Sequence, residues 1–395
     1  MFVHAVRVPA RRALPPTGLR EGVMDLAFLH PLYEHPGPWA SVYVDTSRWT
    51  EGSAHEARPT ARAMVRELSR QGADAATCRA VEAAVEDLRH FPDPHGRALF
   101  ARDGNVVLDP LLAHPPPGGS RAVWASLPRV GPLLDLMGED PVAIVAYIDR
   151  RGADFELRSA LGRQKAAAMV GQQWPVHRTS GAGWDEAERH FQLRVENVLE
   201  HSAAEIADAL SVCQEEAQAD LLILIGDEPE RRAVRDRLPR RLHHRVEEAS
   251  HGDASRLPDE EVERIRAGHV RRRVEAALDR FRAARVPDAE GRLGAAEGVP
   301  ALVEAAREQR LEQLLIHPDG PESHCVVWIG EDPGQTAVHR TELKILGEQR
   351  SWPARADDAL LRSAVTGDAT ALSLAPMALD DEGVPAGGLG ALLRR

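Results

Sequence analysis

A chain of 395 residues, 43% hydrophobic and 28% charged, is too long for one ordinary domain and too apolar for whole-chain disorder, so two or three packed domains are expected. No stretch approaches the roughly 18 uninterrupted apolar residues of a bilayer-spanning helix, which excludes an integral helical membrane protein. The net charge of −12 opposes general coating of DNA or RNA, so any nucleic-acid contact has to come from a local patch, and no DNA partner is expected.

The first 23 residues carry Arg7, Arg11, Arg12 and Arg20, and Pro9, Pro15 and Pro16 interrupt the apolar core that a secretion signal needs. They read as an extension outside the fold of a cytoplasmic protein, and better patterning begins at Met24. Trp39 to Asp45, WASVYVD, alternates β-formers after the breaker Pro36-Gly37-Pro38 and predicts a strand. Between Arg58 and Leu88 the apolar positions Ala61, Val65, Leu68, Val81, Val85 and Leu88 recur at helical spacing, broken at Gln71-Gly72-Ala73. Short β runs at Ala98 to Ala101 and Asn105 to Leu108 flank Asp103-Gly104, and His114 to Gly119 is a proline-rich loop.

A second unit opens at Pro141 with VAIVAYID, an apolar run of the kind buried on both faces, partnered by ADLLILI at Ala219 to Ile225. The spacing of Phe191, Val195, Val198, Leu199, Ala203 and Ile206 predicts a helix from about Asp185 to Leu210 between them. Strand, helical crossover and strand make an α/β layer the economical solution. A helix over about Asp259 to Arg282 closes the unit. After a breaker-rich linker from Val286 to Gly298, the third unit repeats this grammar. A helix is expected around Val299 to Arg310, strands at LEQLLI and Cys325 to Ile329, a loop at Trp352-Pro353, a helix around Asp357 to Thr366, and a strand at Thr370 to Ala375. The fold class is therefore three consecutive α/β domains: residues 24–140, 141–285 and 286–395.

Cys78, Cys213 and Cys325 lie more than a hundred residues apart and offer neither a disulfide framework nor a zinc spacing. His243, His244 and His251 lack partner ligands at metal spacing, so no metal is expected. Walker-type loops, strand-linked G-x-G-x-x-G turns, H-E-x-x-H and G-x-S-x-G elbows are absent, and no cofactor is expected. The glycine cluster at Gly387, Gly388 and Gly390 has no strand-to-helix phosphate site attached to it. Asp149 and Asp227 end the two buried strands, with Glu196 between them in sequence. Convergence of the three would suit a metal-dependent nuclease, and the plainer alternative is solvated strand ends.

Of the 49 basic residues only Lys165 and Lys344 are lysine. The span from Arg150 to Arg285 is nearly neutral, while the rest of the chain holds almost all the excess negative charge. Two arginine runs stand out, Glu230 to Arg245 and Arg264 to Arg285. Arg264, Arg271, Arg272 and Arg273 mark a basic face that suits RNA phosphates, or else a solvated helix surface in an arginine-rich proteome. The most individual segment is Trp174 to Trp184, WPVHRTSGAGW. Gly181 and Gly183 permit close backbone approach, and Trp174, His177, Arg178 and Trp184 can stack on or bond to nucleotides.

Several segments occur together and in order: GPWASVYVDTS at Gly37 to Ser47, GRAL at Gly96 to Leu99, and PVAIVAYIDRRGADFEL at Pro141 to Leu157. WPVHR, then GW and HFQLRVEN, and the terminal GGLGALLR follow. Over roughly Met24 to the end, the chain resembles the actinobacterial branch of the bacterial proteins related to archaeo-eukaryotic class I release factors and Pelota, a group to which the ribosome hibernation factor Balon is also related.

The resemblance implies an N-terminal domain toward the decoding centre, a central ribonuclease-H-like domain reaching the peptidyl-transferase centre, and a C-terminal L7Ae-like domain. It implies a ribosome partner, met at the A site through rRNA of both subunits, and association with elongation factor Tu. True release factors of this kind carry Gly-Gly-Gln at the tip of the central domain. Here the corresponding stretch reads Thr179-Ser180-Gly181-Ala182-Gly183-Trp184, and Gly171-Gln172-Gln173 precedes it. The Asn-Ile-Lys-Ser stop-codon motif is absent too. The expectation is a non-enzymatic hibernation factor filling the vacant A site. The alternative is a peptidyl-tRNA hydrolase or tRNA-acting nuclease of the same superfamily.

Overall fold

The computed structural model describes residues 26–34, 37–47, 49, 54–88, 96–112, 114–138, 141–149, 152–158, 191–195, 203–249, 259–345, 347–348 and 350–394. Residues 1–23 and the segment from Trp174 to Trp184 lie outside this set.

After a 3-10 turn at Leu26–Leu32, WASVYVD forms strand β1 (Trp39–Asp45). The helical stretch divides where its breaker predicts, into α1 (Ala54–Arg70) and α2 (Ala75–Asp87). Asp74 caps α2, its carboxylate accepting from the N–H groups of Ala76 and Thr77 at 3.0 and 2.8 Å. Strands β2 (Gly96–Arg102) and β3 (Asn105–Leu108) form a hairpin on Asp103-Gly104. Strand β4 (Arg121–Ala125) and helix α3 (Gly131–Gly138), neither of them expected from the sequence pattern, complete the unit. The sheet is antiparallel, in the order β3-β2-β1-β4. Alternate residues of a strand face opposite ways, so Ala40, Val42 and Val44 pack beneath α1 and α2 while Trp39 and Tyr43 face the other side.

The central unit runs β5 (Ala143–Asp149), β6 (Gly152–Arg158), β7 (Phe191–Val195), α4 (Ala203–Ala217), β8 (Leu221–Ile225), α5 (Glu228–Arg235), β9 (Val246–Ala249) and α6 (Asp259–Ala284). The helix expected over Asp185 to Leu210 is corrected at both ends. Residues 191–195 are a strand paired with β6, and the described helix starts at Ala203. The reason is local: Phe-Gln-Leu-Arg-Val alternates apolar and polar with period two, a strand signature that the longer helical spacing obscured. The sheet order is β7-β6-β5-β8-β9, with β6 antiparallel to its neighbours and β8 parallel to both β5 and β9. This is the ribonuclease-H-like arrangement that the resemblance implied. One face, with Ile144, Ala146, Leu222 and Leu224, is covered by α4 and α5, and the opposite face, with Val145 and Ile223, by Val262 of α6.

The C-terminal unit contains β10 (Ala295–Glu297), α7 (Val299–Arg307), β11 (Leu311–Ile316), β12 (Val326–Ile329), β13 (Thr336–Ala337), α8 (Arg340–Ile345), β14 (Trp352–Arg355), α9 (Ala356–Thr366), β15 (Thr370–Ser373) and β16 (Leu389–Leu393). Its main sheet has the order β10-β16-β11-β15 and is mixed, β11 being parallel to β15 and antiparallel to β16. Trp352-Pro353, expected as a loop, lies in β14. That strand is at the edge of the small sheet β13-β12-β14, where a proline's missing N–H costs no ladder bond.

Helix α6 serves two units. Val262 near its start packs on the central sheet, and Val274, Ala277, Leu278 and Phe281 near its end pack with Leu315, Leu372 and Leu392 of the C-terminal sheet. The N- and C-terminal units also share a core, since Leu29, Leu32, Tyr43, Phe100 and Leu133 form one apolar cluster with Leu314, Leu360, Leu361, Val365 and Leu389. Polar contacts cross that seam. Ser373 Oγ donates to Asp135 Oδ1 at 2.6 Å, and Ser126 Oγ to the Pro353 carbonyl at 2.5 Å. No described helix is long and apolar enough to cross a membrane.

Candidate RNA-contact surface

The loop residues proposed for RNA contact, Trp174, His177, Arg178, Gly181, Gly183 and Trp184, lie outside the described residues, but the strands on either side are placed. β6 and β7 pair antiparallel, with Leu157 opposite Phe191, so both strands meet the intervening segment at the same end of the sheet. That is also the end at which β5 and β8 begin, because Arg158 lies opposite Ala143 and Ala143 opposite Leu221.

Asp149 and Asp227 occupy the other end. β5 and β8 are parallel neighbours with Tyr147 opposite Ile225, so the two carboxylate-bearing positions leave adjacent strands side by side. At about 3.3 Å per residue, the seven-residue strand β5 holds the two ends of the sheet roughly 20 Å apart. The strand ends that flank residues 159–190 and the carboxylate pair therefore lie at opposite ends of the sheet. Glu196 lies outside the described residues, and among those described no three His, Cys, Asp or Glu side chains could hold a metal.

The arginine face of α6 is present, and most of its charge is already met. Arg264 is exposed and hydrogen-bonded to Glu261, which holds that carboxyl below its ordinary range. Arg271 Nε lies 2.9 Å from Glu275 Oε1, and Arg272 pairs with Glu247 on β9. Arg266 is buried, donating to the Pro141 carbonyl at 2.9 and 3.1 Å and pairing with Glu263. Arg273 is half-buried, with its Nε shielded from solvent. Burial lowers its pKa, and the nearby charge of Asp220 opposes that shift. His269, on the same helix, has its pKa lowered to about 4, first by burial and then by Arg273, Arg272, Arg245 and His244.

The run from Glu230 to Arg245 is only partly neutralised, since Arg232, Arg237 and Arg240 enter no ion pair among the described residues. Arg235 pairs with Glu248 at 2.8 Å, Arg241 pairs with Glu215, and Arg245 donates to the Ala219 carbonyl at 2.9 Å. Exposed pairs of this kind contribute only about 0–1 kcal/mol, so phosphate can displace their carboxylates. The field available to an approaching polyanion is nonetheless weaker than the count of arginines suggested.

The terminal glycines have a structural use. Gly388 sits at φ +85°, and a Cβ there would meet the Gly320 Cα at 2.5 Å, so the two backbones touch. A groove of about 740 Å³ between α7 and α8, lined by Glu304, Arg307, Gln335, His339 and Glu342, carries both signs of charge. One basic feature escaped the sequence reading. Arg58, Arg62, Arg66 and Arg70 repeat every four residues along α1, a period visible in the sequence but passed over in favour of the apolar positions.

Residues 142–286 match the family model of bacterial archaeo-eukaryotic release factor family 2. The match spans the central unit, which is similar to that of the bacterial archaeo-eukaryotic release-factor-like proteins. The chain is 29% identical over 362 residues to the uncharacterized protein Rv2629 of Mycobacterium tuberculosis, spanning 91% of this chain and 93% of that one. Among solved structures, S. cerevisiae Dom34, a translation termination-like factor, aligns with 75% of this chain and 79% of its own, at 9% identity and a TM-score of 0.39. An archaeal Pelota in a ribosome-bound model with ABCE1 aligns with 95% of this chain and 97% of its own, at 14% identity and a TM-score of 0.36.

Proposed function

We propose that this protein is a ribosome-binding hibernation factor that occupies the vacant A site and protects inactive ribosomes without releasing peptide. The observation that carries the reading is the release-factor family match over residues 142–286. It coincides with a central unit whose Thr179 to Trp184 stretch lacks Gly-Gly-Gln. A release-factor-like scaffold without its hydrolytic signature suits an occupant better than a catalyst. In this reading residues 24–140 face the decoding centre and 141–285 reach toward the peptidyl-transferase centre, where Trp174, His177, Arg178 and Trp184 contact rRNA. The resemblance to Balon adds elongation factor Tu as a partner.

Sedimentation of stationary-phase extract on a sucrose gradient tests the reading. The protein is expected in the ribosomal fractions at low salt, and finding all of it at the top of the gradient would overturn the proposal. Trp184→Ala is expected to weaken ribosome association by roughly 1–3 kcal/mol if the indole stacks on RNA. Release of labelled peptide from stalled ribosomes by the purified protein would reverse the non-enzymatic assignment.

The adjacency of Asp149 and Asp227 at the ends of β5 and β8 favours a second reading, a tRNA-acting nuclease using a divalent ion. Under that reading, magnesium-dependent cleavage of tRNA would be lost in Asp227→Asn. The hibernation reading expects no cleavage by either protein.

A further inference from the structure

Helix α1 has two faces with different tasks. Ala57, Ala61, Met64 and Leu68 are buried against the N-terminal sheet. On the outer side Arg58, Arg62, Arg66 and Arg70 are all exposed. Four residues advance an α-helix by about 6 Å and turn it about 40° beyond a full revolution, so the four guanidinium groups form a slowly winding ridge roughly 18 Å long.

The two ends of the ridge are tethered and its centre is open. Arg58 Nε lies 3.9 Å from Glu86 Oε1 on α2. Arg70 holds Glu67 through bonds of 3.0 and 2.6 Å, which lower the pKa of that carboxyl. Arg62 and Arg66 enter no ion pair among the described residues. This contrasts with α6, where Arg264, Arg266, Arg271 and Arg272 each have a carboxylate partner. In a chain of net charge −12, these are neighbouring exposed cations that no close carboxylate neutralises. They repel one another until an anion arrives.

We propose that the α1 ridge is the surface by which the N-terminal unit grips the sugar–phosphate backbone of double-stranded RNA. This rests on the ribosome-binding reading and names the face of the protein that serves it. Arginine's planar fork matches phosphate oxygens. α1 carries no Phe, Tyr or Trp, and its one imidazole, His55, precedes the arginine ridge, so the ridge itself offers charge without the stacking platform that single-stranded RNA uses. Contacts of this kind fix position on a helix of RNA and are indifferent to its sequence.

The full chain, an Arg62→Gln/Arg66→Gln variant and an Arg62→Lys/Arg66→Lys variant are compared in two assays over 50 to 200 mM salt. One is co-sedimentation with purified ribosomes. The other is fluorescence anisotropy with a labelled 20-base-pair RNA duplex. Both positions are exposed, and matching thermal unfolding curves establish that the variants fold.

Each phosphate contact contributes about 0.9 to the salt slope, so the Gln variant is expected to lose roughly tenfold less affinity across that range than the parent. Its affinity at 50 mM should be lower in both assays, and the Lys variant should keep most of the binding. If the parent binds ribosomes and the Gln variant shows the same slope, the ridge is not the contact and the ribosome reading stands. If the parent ignores ribosomes but binds the duplex through Arg62 and Arg66, the ridge stands and the ribosome reading falls. Loss of ribosome binding in the Gln variant, with no duplex binding by the parent, would mean that the ridge meets an acidic protein surface. That result overturns the proposal, as does failure of the parent to bind either probe.

Discussion

Arg129 Nε lies 3.0 Å from Asp358 Oδ2 across the seam between the N- and C-terminal units, with 17% and 2% of the two side chains exposed. Burial, together with the neighbouring Asp357, pushes the Asp358 carboxyl well above its ordinary range, and Arg129 opposes that shift. Removing the cation leaves this buried carboxyl without the nearest charge that opposes the shift and leaves its hydrogen-bonding position unpaired. Arg129→Met is expected to lower stability by roughly 3–5 kcal/mol, whereas Asp358→Asn, which leaves no charge needing a partner on the more buried side, should cost clearly less. Urea unfolding of the two variants checks this asymmetry, and equal losses would show that the pair does not carry the seam.

The half-buried His269 imposes a pH dependence whose sign follows from its pKa of about 4. The unfolded chain protonates this ring near pH 6.5, while the folded chain does so only near 4. Between these values the unfolded state binds more protons, so stability rises with pH from about 4 to 6.5 and is complete above that window. The effect is bounded at roughly 3 kcal/mol. His269→Gln should flatten the slope of unfolding free energy between pH 5 and 7 without lowering stability at pH 5, and an unchanged slope would refute this origin.

The three successive arginines of α6 are not equivalent. Arg271 and Arg272 are exposed and paired with carboxylates, so Arg271→Gln/Arg272→Gln should leave the melting temperature nearly unchanged. If α6 contacts rRNA, the same double variant should make the salt slope of ribosome binding shallower by up to about 1.8. Arg273 is half-buried within electrostatic range of Asp220, and Arg273→Gln should destabilise the central unit by more than the double variant does, by roughly 1–3 kcal/mol. Thermal unfolding of the double and the single variant separates charge lost from the surface from charge lost at the half-buried position.

Gly388→Ala is expected to destabilise the C-terminal unit by more than about 1 kcal/mol. The substitution meets both a positive φ and the Gly320 backbone. Gly291→Ala has the positive φ with open space around it and should cost less, so a comparison of their denaturant midpoints isolates the contribution of close approach.

Where the local pattern was strong, the sequence alone determined the element. WASVYVD, VAIVAYID and ADLLILI became β1, β5 and β8 because runs of β-branched and aliphatic residues bounded by breakers have few other solutions. The break at Gln71-Gly72-Ala73, the long helix α6 and the α/β class were legible for the same reason. β7 was misread because five alternating residues adjoin a helical pattern, and β14 because proline argues against a strand unless the strand is known to lie at an edge. Only the tertiary structure decided which arginines are available. Glu247 and Asp220 lie 25 and 53 residues from Arg272 and Arg273 in sequence, and sheet packing brings the first into an ion pair and the second into electrostatic range. The same holds for the joining of residues 26–138 to residues 295–393 in one core. Burial and charge pairing are properties of surfaces brought together from distant parts of the chain, and local spacing carries no record of them.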